Sequence, residues 1–281
     1  MALDPTSLGF ETEPFNFTYD WKTLALYALG IGAKRDELDL LYEGRGPQVF
    51  PTFAVVPAAP AAFACLARTG GNYSMVVHGA QSVRVHALPP PEGTLTTRAT
   101  LRALYDLKRF GQAIVATETR LPDGRLAFET EWSIIYRGEG NFGGPRPPAD
   151  AAPSVPKDRP ADARVEEPTQ PEQALLYRLS GDLNPLHADP AFAASVGFEQ
   201  GPILHGLCTY GFAARALVRS MLGGDASKLR RFDAQFRRPV WPGDTLITEL
   251  WRGAEGTVIV RTYAQGRPDP VLTGAWALVD P

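Results

Sequence analysis

Three side chains able to handle protons or water, Asp182, Asn184 and His187, fall within six residues of a 281-residue chain, in the stretch Ser180-Gly181-Asp182-Leu183-Asn184-Pro185-Leu186-His187. Gly181 and Pro185 bar a regular helix here, so the spacing predicts a tight, fixed loop that turns the three groups toward one point. A neutral imidazole can accept a proton and return it. A carboxylate can take or share the second hydrogen of a bound water, and an Asn amide can hold either partner in orientation. Taken singly, each residue has a plainer reading: Asp in a Gly-Asp turn makes an Asx-turn, and a lone His is commonly just satisfied.

A second feature raises the chemical reading. Pro202-Ile203-Leu204-His205-Gly206 runs directly into an apolar stretch, so Gly206 is expected at or near a helix N-terminus. Free amides and the positive dipole end there can stabilise a negative oxygen, and glycine lets a carbonyl approach the backbone closely. His205 is expected to shape that turn or touch the substrate. An acid/base pair beside such an oxyanion site defines a reaction class, chemistry at the carbon α or β to a thioester carbonyl. Hydration of an enoyl thioester fits that description.

The elements that must position these groups follow from periodicity. From Gly206 to Leu222, apolar residues at Leu207, Tyr210, Phe212, Ala213, Leu217 and Met221 are broadly helical in spacing, and Gly223-Gly224 supplies a stop. Four β-branched and aromatic runs come next, Arg231–Phe236, Thr245–Trp251, Thr257–Tyr263 and Val271–Val279, separated by Gly- and Pro-containing turns. They signal an antiparallel sheet.

At an offset of 150, Tyr27-Ala28-Leu29-Gly30 falls on Tyr177-Arg178-Leu179-Ser180, and Gly93-Thr94-Leu95 falls beside Gly243-Asp244-Thr245-Leu246, which suggests a duplicated unit. The expected organisation is an N-terminal repeat over 1–142, a Pro/Gly/Ala-rich linker over 143–170 unable to sustain helix or ladder, and a chemically equipped repeat over 171–281. One long helix on an antiparallel sheet, made twice, is an α+β architecture.

Composition removes several classes of function. A net charge of -3 with scattered Lys and Arg gives no broad basic face, so nucleic acid is not an expected partner. Two cysteines, Cys65 and Cys208, are too few for a disulfide framework and suit a reducing compartment. The first nine residues do not read as a secretory signal, no stretch is read as approaching a membrane span, and Leu278-Val279-Asp280-Pro281 is not a Ser-Lys-Leu address. The expectation is a cytoplasmic protein without membrane contact. His187-Ala188-Asp189 offers no third neighbour for metal, and no metal or bound cofactor is expected.

The run 180–190, ending Ala188-Asp189-Pro190, together with Gly201–Arg215 and Phe236–Leu246, resembles the hydratase 2 family, R-specific 2-enoyl-CoA hydratases of the MaoC-like group. Weaker matches at Tyr27–Ala33 and Phe50–Phe53 extend the resemblance over nearly the whole chain, in the two-repeat form of the hydratase portion of peroxisomal multifunctional enzymes. The resemblance implies a double hot-dog fold, each long helix wrapped by an antiparallel sheet and the sheets joined edge to edge. It implies that Asp182 and His187 activate water and exchange the proton, that Asn184 supports them, and that the Gly206 N–H receives the thioester oxygen. The implied product is the (3R)-3-hydroxyacyl-CoA, the thioester being substrate rather than cofactor.

Leu29-Gly30-Ile31-Gly32 stands where the first repeat would need its Asp and His, so that repeat is expected to accommodate the acyl tail. His78-Gly79 reads as its weak counterpart of His205-Gly206, either touching the substrate or serving packing or a helix-end bond, and Arg237 and Arg238 as groups that could meet the CoA phosphates or face solvent. A homodimer is the expected assembly. A carrier-protein dehydratase using the same residues in reverse, and a non-catalytic acyl-thioester-binding protein, are the competing readings. Acyl-chain length is not legible.

Overall fold

The computed structural model describes residues 3–73, 76–149 and 152–281. It divides into two compact units, one made of Met1–Thr18, Ala54–Ala87 and Thr94–Ala152, the other of Tyr19–Phe53, Leu88–Gly93 and Pro153–Pro281. The chain thus interleaves: Tyr19–Phe53, far upstream of the linker, packs with the C-terminal half.

Along the first half run β1 (Phe15–Tyr19), α1 (Trp21–Gly30), α2 (Leu38–Leu41), α3 (Val55–Leu66), β2 (Val76–Val85), β3 (Gly93–Asp106), β4 (Phe110–Arg120) and β5 (Leu126–Arg137). The second half repeats the series as β6 (Ala163–Pro168), α4 (Gln173–Tyr177), α5 (Pro190–Ser195), α6 (Gly206–Met221), β7 (Leu229–Phe236), β8 (Thr245–Arg252), β9 (Thr257–Ala264) and β10 (Pro270–Val279). Strand order is β1-β3-β4-β5-β2 in the first half and β7-β10-β9-β8-β6 in the second. Read from its first strand, each follows the same rule, first, third, fourth, fifth, second, so the duplication suggested by two short matches extends to topology.

Strand β6 corrects the linker reading. Residues 163–168 form a ladder with β8, from Ala163 opposite Leu250 to Pro168 opposite Thr245. The prolines permit it because β6 is the outermost strand of its half and Pro168 is its last residue, where a missing N–H costs no ladder bond. Positions 150 and 151 of the expected linker lie outside the described residues.

Helix α6 is the core of the second unit. Every residue from Leu207 to Val218 is buried, as a helix wrapped by a sheet requires. Gly211 lets it approach the turn after α1: a Cβ there would stand 2.3 Å from Cγ2 of Ile31, a stiff β-branched side chain with no exposure. Four residues on, the fully buried Arg215 donates to the Ile31 carbonyl at 3.1 Å and pairs with Glu37 at 2.6 Å and with Glu167. A buried guanidinium is tolerable only when its donors are matched in this way.

Helix α3 takes the corresponding place in the first unit, against β4 and β5. It also corrects the reading that no stretch approaches a membrane span: Pro51–Thr69, 19 residues, is long and apolar enough by length and composition. Two thirds of that window is buried inside the protein, and a helix enclosed by a sheet must be apolar on all sides for the same reason.

Candidate active site

The loop after α4 is fixed by a succession of local bonds. Gly181, at φ +121°, turns the chain in a conformation that side chains rarely adopt. Asp182 Oδ1 accepts the Asn184 N–H at 3.2 Å, the anticipated Asx-turn. Asn184 Oδ1 in turn accepts the Leu186 N–H at 3.0 Å and caps the single 3-10 turn Pro185–His187. Asn184 is exposed and works by folding the loop. Arg178, whose Nη2 donates to the Leu183 carbonyl at 3.0 Å, is a residue the sequence reading passed over. Its only signal was a lone cation four residues ahead of Asp182.

Two histidines then tie this loop to the strand-like approach to α6, in opposite directions. His187 Nδ1 donates to the Ile203 carbonyl at 2.8 Å, and His205 Nε2 donates to the Asp182 carbonyl at 3.1 Å. A carbonyl can only accept, so the neutral His187 carries its proton on Nδ1 and keeps a lone pair on Nε2, the form a general base needs. The two rings stack with centroids 3.7 Å apart and planes 27° apart, and the His205 ring also meets the Tyr177 ring, tilted by 50°, at 5.0 Å.

Burial pushes the His187 imidazole below its ordinary 6.5, with the Arg178 cation adding to the depression and the Asp182 carboxylate opposing it. His205 is pushed down further, by burial first and then by His187. Both rings are therefore neutral at physiological pH.

A ring nitrogen of each histidine and a carboxylate oxygen of Asp182 lie within 4.8 Å of one another. The expected absence of a third neighbour for His187 is thus corrected, since His205 supplies one, while Asp189 turns away to cap α5 through bonds from Ala191 and Phe192. His187 Nδ1 and His205 Nε2 each donate to a backbone carbonyl, which leaves the other nitrogen of each ring, with the Asp182 carboxylate, as the groups able to handle a proton.

Gly206 opens α6 as expected. His205 precedes it at φ -58°, ψ 136°, and its side chain gives no capping bond. Among the described residues the Gly206 N–H donates to no acceptor, so it points free at the positive end of a 16-residue helix. The ring of Phe236 at the end of β7 lies 3.1 Å from where a Gly206 Cβ would be, which keeps the approach to this amide narrow.

Other expected contacts fall elsewhere. His205 is 1% exposed and offers no surface to a substrate, which corrects its assignment to substrate contact. His78 and Gly79 lie in β2, at an irregularity in its pairing with β5, and not at a helix start. His78 stacks on Trp132 at 5.3 Å, and a Gly79 Cβ would meet Ile135 at 2.8 Å. The analogy with His205-Gly206 fails because the equivalent helix, α3, begins more than twenty residues upstream. Arg237 donates to Thr273 and Gln235, and Arg238 pairs with Asp269 at 2.8 Å on the surface, so each is engaged just past Phe236.

Two family patterns cover the two halves: the MFE-2 hydratase 2 N-terminal domain matches residues 17–138, and the MaoC like domain matches residues 153–266. The chain is similar to 3-hydroxyacyl-thioester dehydratase Y of Mycobacterium tuberculosis, at 43% identity over 95% of this chain and 93% of that one. It is also similar to the peroxisomal enoyl-CoA hydratase 2 of Arabidopsis thaliana, at 38% identity over 92% and 89%. Among solved structures, a MaoC-like dehydratase from Phytophthora capsici aligns at a TM-score of 0.87 and 30% identity, covering 100% of this chain and 98% of that one. With its two five-stranded halves each built on one buried helix, the chain belongs to the hydratase 2 family of MaoC-like, double hot-dog proteins.

Proposed function

We propose that this chain catalyses the reversible syn addition of water across trans-2-enoyl-CoA, giving (3R)-3-hydroxyacyl-CoA. One observation carries the reading: the reciprocal histidine ties bind the loop that carries Asp182 and His187 to the segment leading into α6, whose first amide has no acceptor among the described residues. In this scheme the Gly206 N–H receives the thioester oxygen and stabilises the charge that develops there as water adds at Cβ. His187 and Asp182 take a proton from the water and deliver one to Cα, so both come from the same face. Asn184 holds the loop that presents them. No metal or bound cofactor enters the scheme.

The test is disappearance of enoyl-thioester absorbance across enoyl-CoAs from four carbons to bulky branched chains, with chiral analysis of the product. Asp182→Asn and His187→Gln should each fold and lose roughly 10²–10⁴ in rate. Full activity in either folded variant would falsify the assignment.

The Mycobacterium relative's name favours a second reading, dehydration of 3-hydroxyacyl thioesters, which uses the same residues in reverse. Comparing matched CoA and carrier-protein substrates separates the two. A homodimer and a cytoplasmic site remain part of the proposal. The two cysteines, both free and buried, suit any reducing compartment, and the Arabidopsis relative is named peroxisomal. Sedimentation and cell fractionation test these points.

A further inference from the structure

We propose that His205 is a positioning residue: it never touches the reacting atoms and acts by clamping the Asp182 main chain while its ring backs the face of His187. This rests on the hydratase reading above. Its ring stacks on His187 at 3.7 Å, meets the tilted Tyr177 ring at 5.0 Å between centroids, and is 1% exposed, so it offers no surface to a substrate. Among the described residues its ring makes one hydrogen bond, to the carbonyl of the residue that carries the carboxylate. The remaining nitrogen, Nδ1, is buried and has no partner among them.

An unpartnered buried acceptor carries a desolvation cost, and a purely apolar filler would avoid it. An imidazole is therefore poorly suited to mere packing. It is well suited to delivering one N–H to the Asp182 carbonyl from beneath a second ring. The ties from His187 to Ile203 and from His205 to Asp182 cross, so each loop carries a donor to the other, and slack in one releases both proton-handling groups. The charged and titratable groups around His205 are His187, Asp182, Arg178 and Tyr177. Burial and His187 both keep it neutral, so its donor is present throughout the working pH range.

Two substitutions separate the tie from the ring. His205→Gln places an amide N–H near the position of Nε2 and removes the stack, whereas His205→Phe keeps a ring and removes the donor. Measured on an enoyl-CoA that the wild-type enzyme hydrates, His205→Phe should lower kcat by roughly 10–100-fold with KM within about threefold, since a misplaced catalytic group of this kind can cost about 100-fold. His205→Gln should recover kcat to within about tenfold of wild type. In an Asp182→Asn background, His205→Phe should add less than it does in the wild type, because the part of its action that runs through Asp182 is already lost.

Should His205→Phe fail to fold by thermal melting, the Gln variant carries the test. Any of three results overturns the clamp: a folded His205→Phe with full kcat, a folded His205→Gln that loses more than 100-fold, or losses that multiply with Asp182→Asn. Absence of hydration by the wild-type enzyme would instead sink the functional reading.

Discussion

The free amide of Gly206 can be deleted by a single substitution that the local backbone is prepared to accept. Proline is tolerated at the first position of a helix, where its missing N–H breaks no internal bond, and the residue before it must be extended or polyproline-like. His205 already sits at φ -58°, ψ 136°, and the Gly206 N–H donates to nothing among the described residues. Gly206→Pro therefore removes the proposed oxyanion donor at little folding cost beyond the crowding of a Cβ against Phe236 at 3.1 Å. Gly206→Ala brings the same crowding and keeps the N–H, so it is the matched control. If the amide holds the developing oxyanion, the proline variant should fall about 10²–10³-fold below the alanine variant in kcat/KM, equivalent to about 2.7–4 kcal/mol. Steady-state hydration kinetics with thermal melts of both proteins make the comparison. Equal activity of two folded variants would refute the oxyanion assignment.

Three further outcomes follow from the buried groups. Arg215→Met leaves the carboxylates of Glu37 and Glu167 with only the more exposed Arg219, at 3.3 and 3.8 Å, and should cost about 3 kcal/mol in urea unfolding; a loss below about 1 kcal/mol would contradict the network. Both active-site imidazoles are held below 6.5 in the folded protein, so unfolding takes up protons as pH falls past that value. Stability should then decline from pH 6.5 downward by about 1.4 kcal/mol per pH unit for each histidine, less steeply in His205→Gln. For the same reason the acid limb of kcat/KM, which reports the free base His187, should lie below pH 6.5; a limb above 6.5 would contradict its burial.

What could be read from residues alone depended on how local the signal was. Helix α6 and strands β7 to β10 were legible because apolar periodicity and Gly or Pro punctuation are properties of contiguous sequence. The Asp182 loop was legible because Gly181, Asp182, Asn184 and Pro185 fold it through bonds no longer than three residues. Strand β6 was hidden because Pro168 and the prolines before the strand argue against a ladder, and only its place at the end of the strand order makes Pro168 harmless. The relation of His205 to His187 could not be seen either: eighteen residues separate them, and the stack exists only because two backbone carbonyls draw the loops together. The burial of Arg215 was equally invisible, since its partners Glu37 and Glu167 lie 178 and 48 residues away.

Stereochemistry of addition tests most directly whether one loop supplies both the hydroxyl and the proton. Hydration of a trans-2-enoyl-CoA in deuterated water, followed by NMR and chiral analysis, should yield a single (3R)-3-hydroxyacyl product with deuterium and oxygen added to the same face. A (3S) product, or deuterium scrambled over both faces at Cα, would mean that Asp182 and His187 do not deliver water together.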